Sequence, residues 1–110
     1  MDTKRALGAL SALASAPRLD VFRLLVGRRE GGLLAGEIAE RLDVRRNTLS
    51  THLAILERAG LLASRREGRA IRYFADLGGA AELIGFLLED CCGAEPACCR
   101  PALDGVARRG

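Results

Sequence analysis

Aromatic side chains are scarce in this chain of 110 residues, which has no tryptophan, one tyrosine and three phenylalanines. A chain of this length forms one domain with a small core. Because many of its apolar positions are alanine, such a core favours closely packed helices. Because the core contains so few aromatic side chains, we also expect additional burial through dimerisation.

The sequence also contains no membrane-spanning run, and we expect no signal peptide. No apolar run is long enough to cross a bilayer. A basic pair followed by the apolar segment 7–13 superficially resembles a signal peptide, but Gly8 and Ser11 interrupt this segment and Pro17 follows it. We therefore expect a cytoplasmic protein with no membrane partner, whose four cysteines are reduced thiols.

Catalytic constellations are missing too. The chain has a single histidine, His52, and no Ser/His/Asp arrangement, phosphate-binding loop or pair of carboxylates stands out. We therefore expect that the protein is not an enzyme.

The positive charge is concentrated in the middle of the chain. The whole chain has a net charge of +3, whereas residues 41–72 contain eight arginines against three acidic residues, a net charge of +5. Residues 73–99 contain five acidic residues and no base. A basic middle is the electrostatic footprint of a nucleic-acid-binding protein.

Two helices joined by a turn are predicted within this region. Leu34, Ile38 and Leu42 are spaced by four, which favours an amphipathic helix over 35–42, and Asp43 tolerates the left-handed conformation of a turn. The apolar stripe of the next helix is Leu49, Leu53, Leu56 and Gly60. Its outward face is Asn47, Ser50, Thr51, Ala54 and Arg58. Short polar side chains beside arginines suit a helix that lies against base edges and phosphates, although a helical hairpin of any small α-domain is the alternative.

Two more helices are predicted before this helix-turn-helix. The first spans 3–14, with Leu7, Leu10 and either Leu13 or Ala14 on one side. The second spans 17–27 and begins at Pro17, whose missing N–H costs nothing there. Its buried face is expected to be Leu19, Phe22, Leu25 and Val26. The charged loop 28–32 contains two glycines and is expected to be exposed.

A β-hairpin is predicted after Gly60, where the apolar period changes to two. The strands span 62–66 and 70–75, and Glu67-Gly68 is the predicted tight turn, because glycine adopts positive φ easily. Four arginines surround its tip, namely Arg65, Arg66, Arg69 and Arg72. This combination predicts a β-wing that contacts DNA.

A last helix is predicted over 80–92. Its apolar side contains Leu83, Phe86 and Leu87, together with Asp90. So wide an apolar surface in a small domain is expected to be buried against a partner. We therefore divide the chain into a DNA-binding and dimerisation domain, 1–92, and a cysteine-bearing loop with a tail, 93–110.

The order of these elements resembles that of the ArsR/SmtB family of winged-helix repressors over roughly residues 10–90. The segment 47–53 is similar to the family's recognition-helix signature, and segments 60–62 and 65–69 are similar to its wing. The resemblance implies a mainly α (α+β) winged helix-turn-helix with four to five helices and a two-stranded wing. It also implies a homodimer that pairs through its first and last helices and releases double-stranded operator DNA when a metal or metalloid binds.

Ten residues are predicted to bind DNA. Short polar side chains of the outward face are expected at base edges, while Arg46 and the wing arginines hold phosphates or the minor groove. The family often has serine where Arg45 stands, so uncapped N–H groups can receive a phosphate there. His52, near the apolar border, is expected to pack or to touch a phosphate. The full set is Arg45, Arg46, Asn47, Thr48, Ser50, Thr51, His52, Arg65, Arg66 and Arg69.

The inducer site is predicted from the cysteines, which all lie within 91–99. Familiar family sites are absent, because 33–38 has no cysteine and His52 is the only histidine. One arsenic-responsive branch has two adjacent cysteines at the end of the last helix and a third further on, a spacing that Cys91, Cys92 and Cys98 match. This resemblance implies arsenite or antimonite as the inducer, control of arsenic-resistance genes and no catalytic cofactor.

Other interpretations of the cysteines stay open. They could form a thiol redox switch, a site for zinc or another soft metal, or inert thiols; two adjacent pairs chelate a tetrahedral ion poorly. The alternative function is a redox- or metal-sensing repressor, or a winged-helix module that binds proteins.

Overall fold

Five α-helices and a three-stranded antiparallel sheet form the part of the chain that the computed structural model describes, residues 1–91, with side chains described as far as Glu89. The elements are α1 (Thr3–Leu13), α2 (Ala16–Arg28), a 3-10 turn (Arg29–Gly31), β1 (Leu33–Leu34), α3 (Ala35–Leu42), α4 (Arg46–Arg58), β2 (Leu62–Glu67), β3 (Ala70–Ala75) and α5 (Leu77–Cys91). The predicted winged helix-turn-helix is confirmed. Cys92, the last residue of the predicted final helix, lies outside the described residues.

Helix α1 packs through its alanines and not through its leucines. Its first turn is capped by the Asp2 carboxylate, which accepts a hydrogen bond from the Arg5 N–H at 2.8 Å. The buried residues are Ala6, Ala9 and Ala12. Leu7 and Leu10, on the predicted leucine side, remain 61% and 40% exposed in the single chain. Small side chains let α1 approach its neighbours closely, which leaves the larger leucines on the outside.

Helix α2 differs from its predicted buried face at one residue. Val21 and Leu25 are fully buried, whereas Leu19, predicted to be buried, is 40% exposed. Phe22 and Val26 are half-buried, in partial agreement with the prediction.

The helix-turn-helix agrees with its prediction in detail. Helix α3 has the predicted bounds, and Asp43 adopts a left-handed conformation with φ of 53° at the turn. Helix α4 buries Leu49, Leu53 and Leu56, each at most 2% exposed. These three leucines fix the rotation of α4 about its axis and therefore determine which of its side chains face outward.

The sheet has one strand more than predicted. Its order is β1-β3-β2, and Leu33 of β1 lies opposite Tyr73 of β3. The loop before β1 was expected to be exposed, yet Gly32 is buried with φ of +59°. A Cβ at Gly32 would collide with the Tyr73 carbonyl and the Phe74 ring, so only glycine lets β1 pair this closely.

The hairpin turn lies one residue later than predicted. Glu67 pairs with Ala70, so Gly68 and Arg69 form the turn, and Gly68 has φ of +64°. Glu67 consequently belongs to strand β2. The shift changes the register by two residues, so Arg65 lies opposite Arg72 and not opposite Ala70, while the side chains on each face of the sheet stay the same.

Helix α5 starts three residues before its predicted beginning. The Asp76 carboxylate caps it by accepting a hydrogen bond from the Gly79 N–H at 3.0 Å, and Gly79 lies so close to the Gly60 carbonyl that a Cβ would collide with it. Leu83 is buried, Phe86 is half-buried and Leu87 stays 44% exposed. Among the described residues, no helix is long and apolar enough to cross a membrane.

Candidate nucleic-acid interface

The outward face of α4 consists of short polar side chains. Asn47, Ser50 and Thr51 are exposed, as are Ala54 and Arg58 further along the same helix. The Thr51 hydroxyl donates to the Asn47 carbonyl at 3.4 Å, which is a local bond that another acceptor can replace. The predicted face is therefore exposed and carries donors and acceptors suited to base edges.

The N-terminus of α4 has positive character and no side-chain cap. Arg45 occupies the cap position, and its side chain makes no capping hydrogen bond. The Thr48 N–H is satisfied by the Asn47 side-chain oxygen at 2.9 Å. The Arg46 guanidinium lies over Gly36 of α3, where an added Cβ would be only 3.1 Å from Arg46 Nη1. The helix dipole and Arg46 together favour an anion at this end of α4.

A groove of about 1060 Å³ separates α3 and the start of α4 from the wing. Arg46, Asn47 and Ser50 line its α4 side, and Arg69 and Tyr73 line its wing side. Burial and, to a smaller extent, the nearby Glu57 carboxylate raise the pKa of the Tyr73 phenol, so this hydroxyl stays a donor at neutral pH. All five of these side chains offer hydrogen-bond donors to an occupant of the groove.

The α3 side of the same groove is acidic. Glu37, Glu40 and Asp43 line it, and one oxygen of Glu37 accepts the Leu34 N–H at 2.8 Å. The positive charge therefore comes from α4 and the wing, and an anionic ligand is attracted toward those two elements.

Two wing arginines are held by one carboxylate. Arg65 and Arg72 lie directly opposite each other in the sheet, and both donate to Glu67 Oε2, at 2.9 and 2.8 Å. The bond from Arg72 and then that from Arg65 lower the pKa of the Glu67 carboxyl, while Glu67 raises the pKa of Arg72. We call Arg65 and Arg72 the paired arginines.

The other two wing arginines have weaker attachments. Arg66 lies opposite Ile71, which lines the groove, and it donates only to the Gly68 carbonyl at 3.3 Å. Arg69 lies at the turn and lines the groove itself. We call Arg66 and Arg69 the groove-side arginines. The predicted DNA-binding set grouped Arg65 with them, whereas Arg65 lies on the opposite face of β2 from Arg66 and is bonded to Glu67.

His52 lies apart from the outward face. It is half-buried, and its Nδ1 is 3.4 Å from Arg18 Nη1 of α2. Arg18 also donates from Nε to the Ala12 carbonyl at the end of α1, at 2.7 Å. Arg18 thus connects α1 with the recognition helix, a role that no local sequence signal indicates, since Arg18 is 34 positions from His52.

The predicted metalloid site falls almost entirely outside the described residues. Cys91 is the last residue of α5, and Cys92 and Cys98 lie outside the described residues. Within residues 1–91, no group of three or more His, Cys, Asp or Glu side chains is placed to hold a metal ion.

Comparison with known proteins now identifies the fold. A family model described as a helix-turn-helix domain matches residues 13–65. The biofilm growth-associated repressor of Agrobacterium fabrum is 38% identical over 86 residues, covering 78% of this chain and 71% of that repressor. An ArsR-like transcriptional regulator from Rhodococcus sp. RHA1 superposes with a TM-score of 0.68 at 26% identity, over 94% of this chain and 93% of that chain. This chain belongs to the ArsR family.

Two more members show the range of the ArsR family. The transcriptional activator HlyU of Vibrio cholerae is 33% identical over 72 residues, 66% of this chain but only 64% of the activator. A homodimeric winged helix-turn-helix DNA-binding domain from Mycobacterium bovis superposes with a TM-score of 0.64 at 25% identity, covering 82% and 80% of the two chains. Curated relatives thus include a repressor and an activator, so membership of the family does not by itself give the direction of regulation.

Proposed function

We propose that this ArsR-family protein is a homodimeric transcriptional repressor that binds double-stranded operator DNA through α4 and the wing. The observation that carries the proposal is the groove in which Arg46, Asn47, Ser50 and Arg69 converge. A groove walled by a helix N-terminus and a basic hairpin matches the way winged helices receive a DNA strand. The recognition helix lies in the major groove, and the wing follows the sugar–phosphate backbone.

Different side chains have different parts in this complex. Asn47, Ser50 and Thr51 contact base edges and provide sequence preference. The Arg46 side chain and the N–H groups of Arg46 and Asn47, which no side chain caps, hold a phosphate at the start of α4. His52 is half-buried beside Arg18, so its part is to position α4 and not to read a base.

The dimer is proposed from leucines that the single chain leaves uncovered. Leu7 and Leu10 on α1 and Leu87 on α5 are each at least 40% exposed, and α1 lies against α5, with Arg5 4.0 Å from Glu82. These leucines lie on the surface of two adjacent helices, whereas the other exposed large apolar side chains of the described residues, Leu19, Ile71 and Leu77, lie on α2, on β3 and at the start of α5. A two-fold dimer through α1 and α5 covers them and presents two recognition helices to two half-sites.

The inducer is proposed to be trivalent arsenic or antimony, supplied as arsenite or antimonite and bound by Cys91, Cys92 and Cys98. Support comes from the donor set, because three thiols within eight residues of one chain are soft ligands for a soft, three-coordinate ion. Cys91 ends α5, so the site adjoins a helix of the proposed dimer surface. Binding there can change the spacing of the recognition helices only through a difference in ligand affinity between DNA-bound and released dimers.

Release of DNA by arsenite tests the proposal. A labelled duplex, selected by the protein from a random pool, is bound by protein reduced with a phosphine. The arsenite and zinc titrations keep the phosphine, and the thiol oxidant is titrated after the phosphine has been removed. We expect arsenite to release the duplex from the wild-type protein and from Cys99→Ser, and to fail with Cys91→Ser, Cys92→Ser and Cys98→Ser. Release from Cys98→Ser at the wild-type arsenite concentration would contradict the three-thiolate site. Release by the oxidant alone would indicate that the protein responds to redox state and not to a metalloid. Release by zinc alone would indicate that it responds to a soft metal.

A further inference from the structure

The wing divides its four arginines between two faces of the sheet. Because side chains alternate along a strand, Arg65, Glu67 and Arg72 lie on one face, and Arg66 lies on the other with Ile71. Ile71 and Arg69 line the groove that Asn47 and Ser50 also line. The groove-side arginines therefore share a surface with the recognition helix, and the paired arginines do not.

We infer that Glu67 determines which wing arginines contact DNA, by holding the paired arginines on the far face and leaving the groove-side arginines for the phosphates. This inference rests on the proposed DNA binding. It assigns different roles to Arg65 and Arg66, which are neighbours in the chain and equal in charge.

The paired arginines already make strong contacts within the protein. For a paired arginine to reach a phosphate, a charge-assisted bond of less than 3 Å to Glu67 Oε2 must break. Arg72 would also lose its bond to the Gly31 carbonyl at 3.1 Å, and Arg65 would leave the Phe74 ring, whose centre is 5.2 Å from its guanidinium carbon.

The groove-side arginines would break fewer and weaker bonds on reaching a phosphate. Arg66 would give up one long bond to a neutral carbonyl, and no ion pair or side-chain hydrogen bond engages Arg69 within residues 1–91. Glu67 also leaves the far face with a single net positive charge, whereas the groove side keeps two. A phosphate is therefore attracted more strongly to Arg66 and Arg69 than to the paired arginines.

Removal of the Glu67 carboxylate should release one of the paired arginines and not both. The Arg65 side chain is 64% exposed, and its only other contact is the Phe74 ring. The Arg72 side chain is 25% exposed and remains bonded to the Gly31 carbonyl. Each wing should thus gain one additional cation that can reach DNA.

The test is the salt dependence of DNA affinity, which counts phosphate contacts. Affinity for a duplex is measured by fluorescence anisotropy between about 50 and 200 mM salt, where each phosphate contact adds roughly 0.9 to the slope of log affinity against log salt. We expect Arg66→Ala to flatten the slope by about 0.9 per wing and Arg65→Ala to leave it unchanged. Glu67→Gln should steepen it, so that the affinity ratio between the two salt limits rises about 3.5-fold per wing.

Three controls make this result specific. Arg65→Ala combined with Glu67→Gln should return to the wild-type slope, because the released cation is then gone. Glu30→Gln removes an equal charge from an exposed position on the 3-10 turn and should leave the slope unchanged. Glu67→Ala checks that the glutamine amide does not simply hold Arg65 in place of the carboxylate, and thermal unfolding of each variant checks its fold.

Equal flattening by Arg65→Ala and Arg66→Ala would overturn the inference, even if the Glu67 variants proved unstable. A flatter slope in Glu67→Gln would also overturn it, because Glu67 would then orient Arg65 toward a phosphate. Absence of salt-dependent DNA binding in the wild-type protein would instead refute the proposed function, and the two failures are therefore distinguishable.

Discussion

Leu10 provides a quantitative test of the dimer surface. Complete burial of a leucine side chain contributes about 1.5–3 kcal/mol, and Leu10 is still 40% exposed in the single chain. Covering that fraction in both subunits is worth roughly 1.2–2.4 kcal/mol, which corresponds to a change in the dimer dissociation constant of about 8- to 60-fold. Leu10→Glu should lose this contribution and also place two carboxylates in the interface.

Leu19 on α2 is the matched control. It has the same exposure of 40% but lies on a helix outside the proposed interface, and glutamate is nearly as favourable as leucine in a helix. Sedimentation equilibrium should show a dissociation constant raised at least about tenfold in Leu10→Glu and unchanged in Leu19→Glu. Equal weakening by both substitutions, or by neither, would refute the assignment of the interface to α1 and α5.

Three further predictions concern the fold and the positioning of α4. Gly32→Ala should destabilise the protein by roughly 1–3 kcal/mol in urea unfolding, because of its positive φ and its contact with Tyr73; Gly27→Ala, with no atom near the added Cβ, should be neutral or stabilising. The pKa of Glu67 is lowered from 4.5, so its contribution to stability is complete above that pH and is lost as the pH falls through the lowered value. The melting temperatures of wild type and Glu67→Gln should therefore differ at neutral pH and converge in acid. Arg18→Ala should reduce operator affinity more than affinity for unrelated DNA, because it frees α4 from its link to α1; an equal reduction for both duplexes would contradict a positioning role.

The recognition helix and the wing could be predicted from sequence because their signals are local. Leu49, Leu53 and Leu56 repeat with the period of a helix, and the alternation of the hairpin strands is equally regular. The sequence predicted that Gly68 lies in the tight turn, but it did not determine whether the turn is Glu67-Gly68 or Gly68-Arg69, because both contain this glycine. The structure has Gly68-Arg69, one residue later than predicted.

The errors have a common physical origin in long-range contacts. Strand β1 is only two residues long and forms because β3 offers it a partner. Close helix packing within the single chain buries Ala6 and Ala9 of α1, which the pattern of leucines did not indicate. The Arg18–His52 contact joins distant positions, and no pattern in the sequence indicates it. The cysteine site stays a prediction, because Cys92 and Cys98 lie outside the described residues.

The central claim is that the outward face of α4 reads the sequence of an operator. The most direct measurement is the ratio of affinities for the selected duplex and a scrambled duplex, in the wild-type protein and in Asn47→Ala/Ser50→Ala. Loss of two base contacts worth about 1–3 kcal/mol each should reduce this ratio at least about 30-fold, while affinity for the scrambled duplex stays near the wild-type value. An unchanged ratio would contradict the account, because α4 would then bind DNA without reading it.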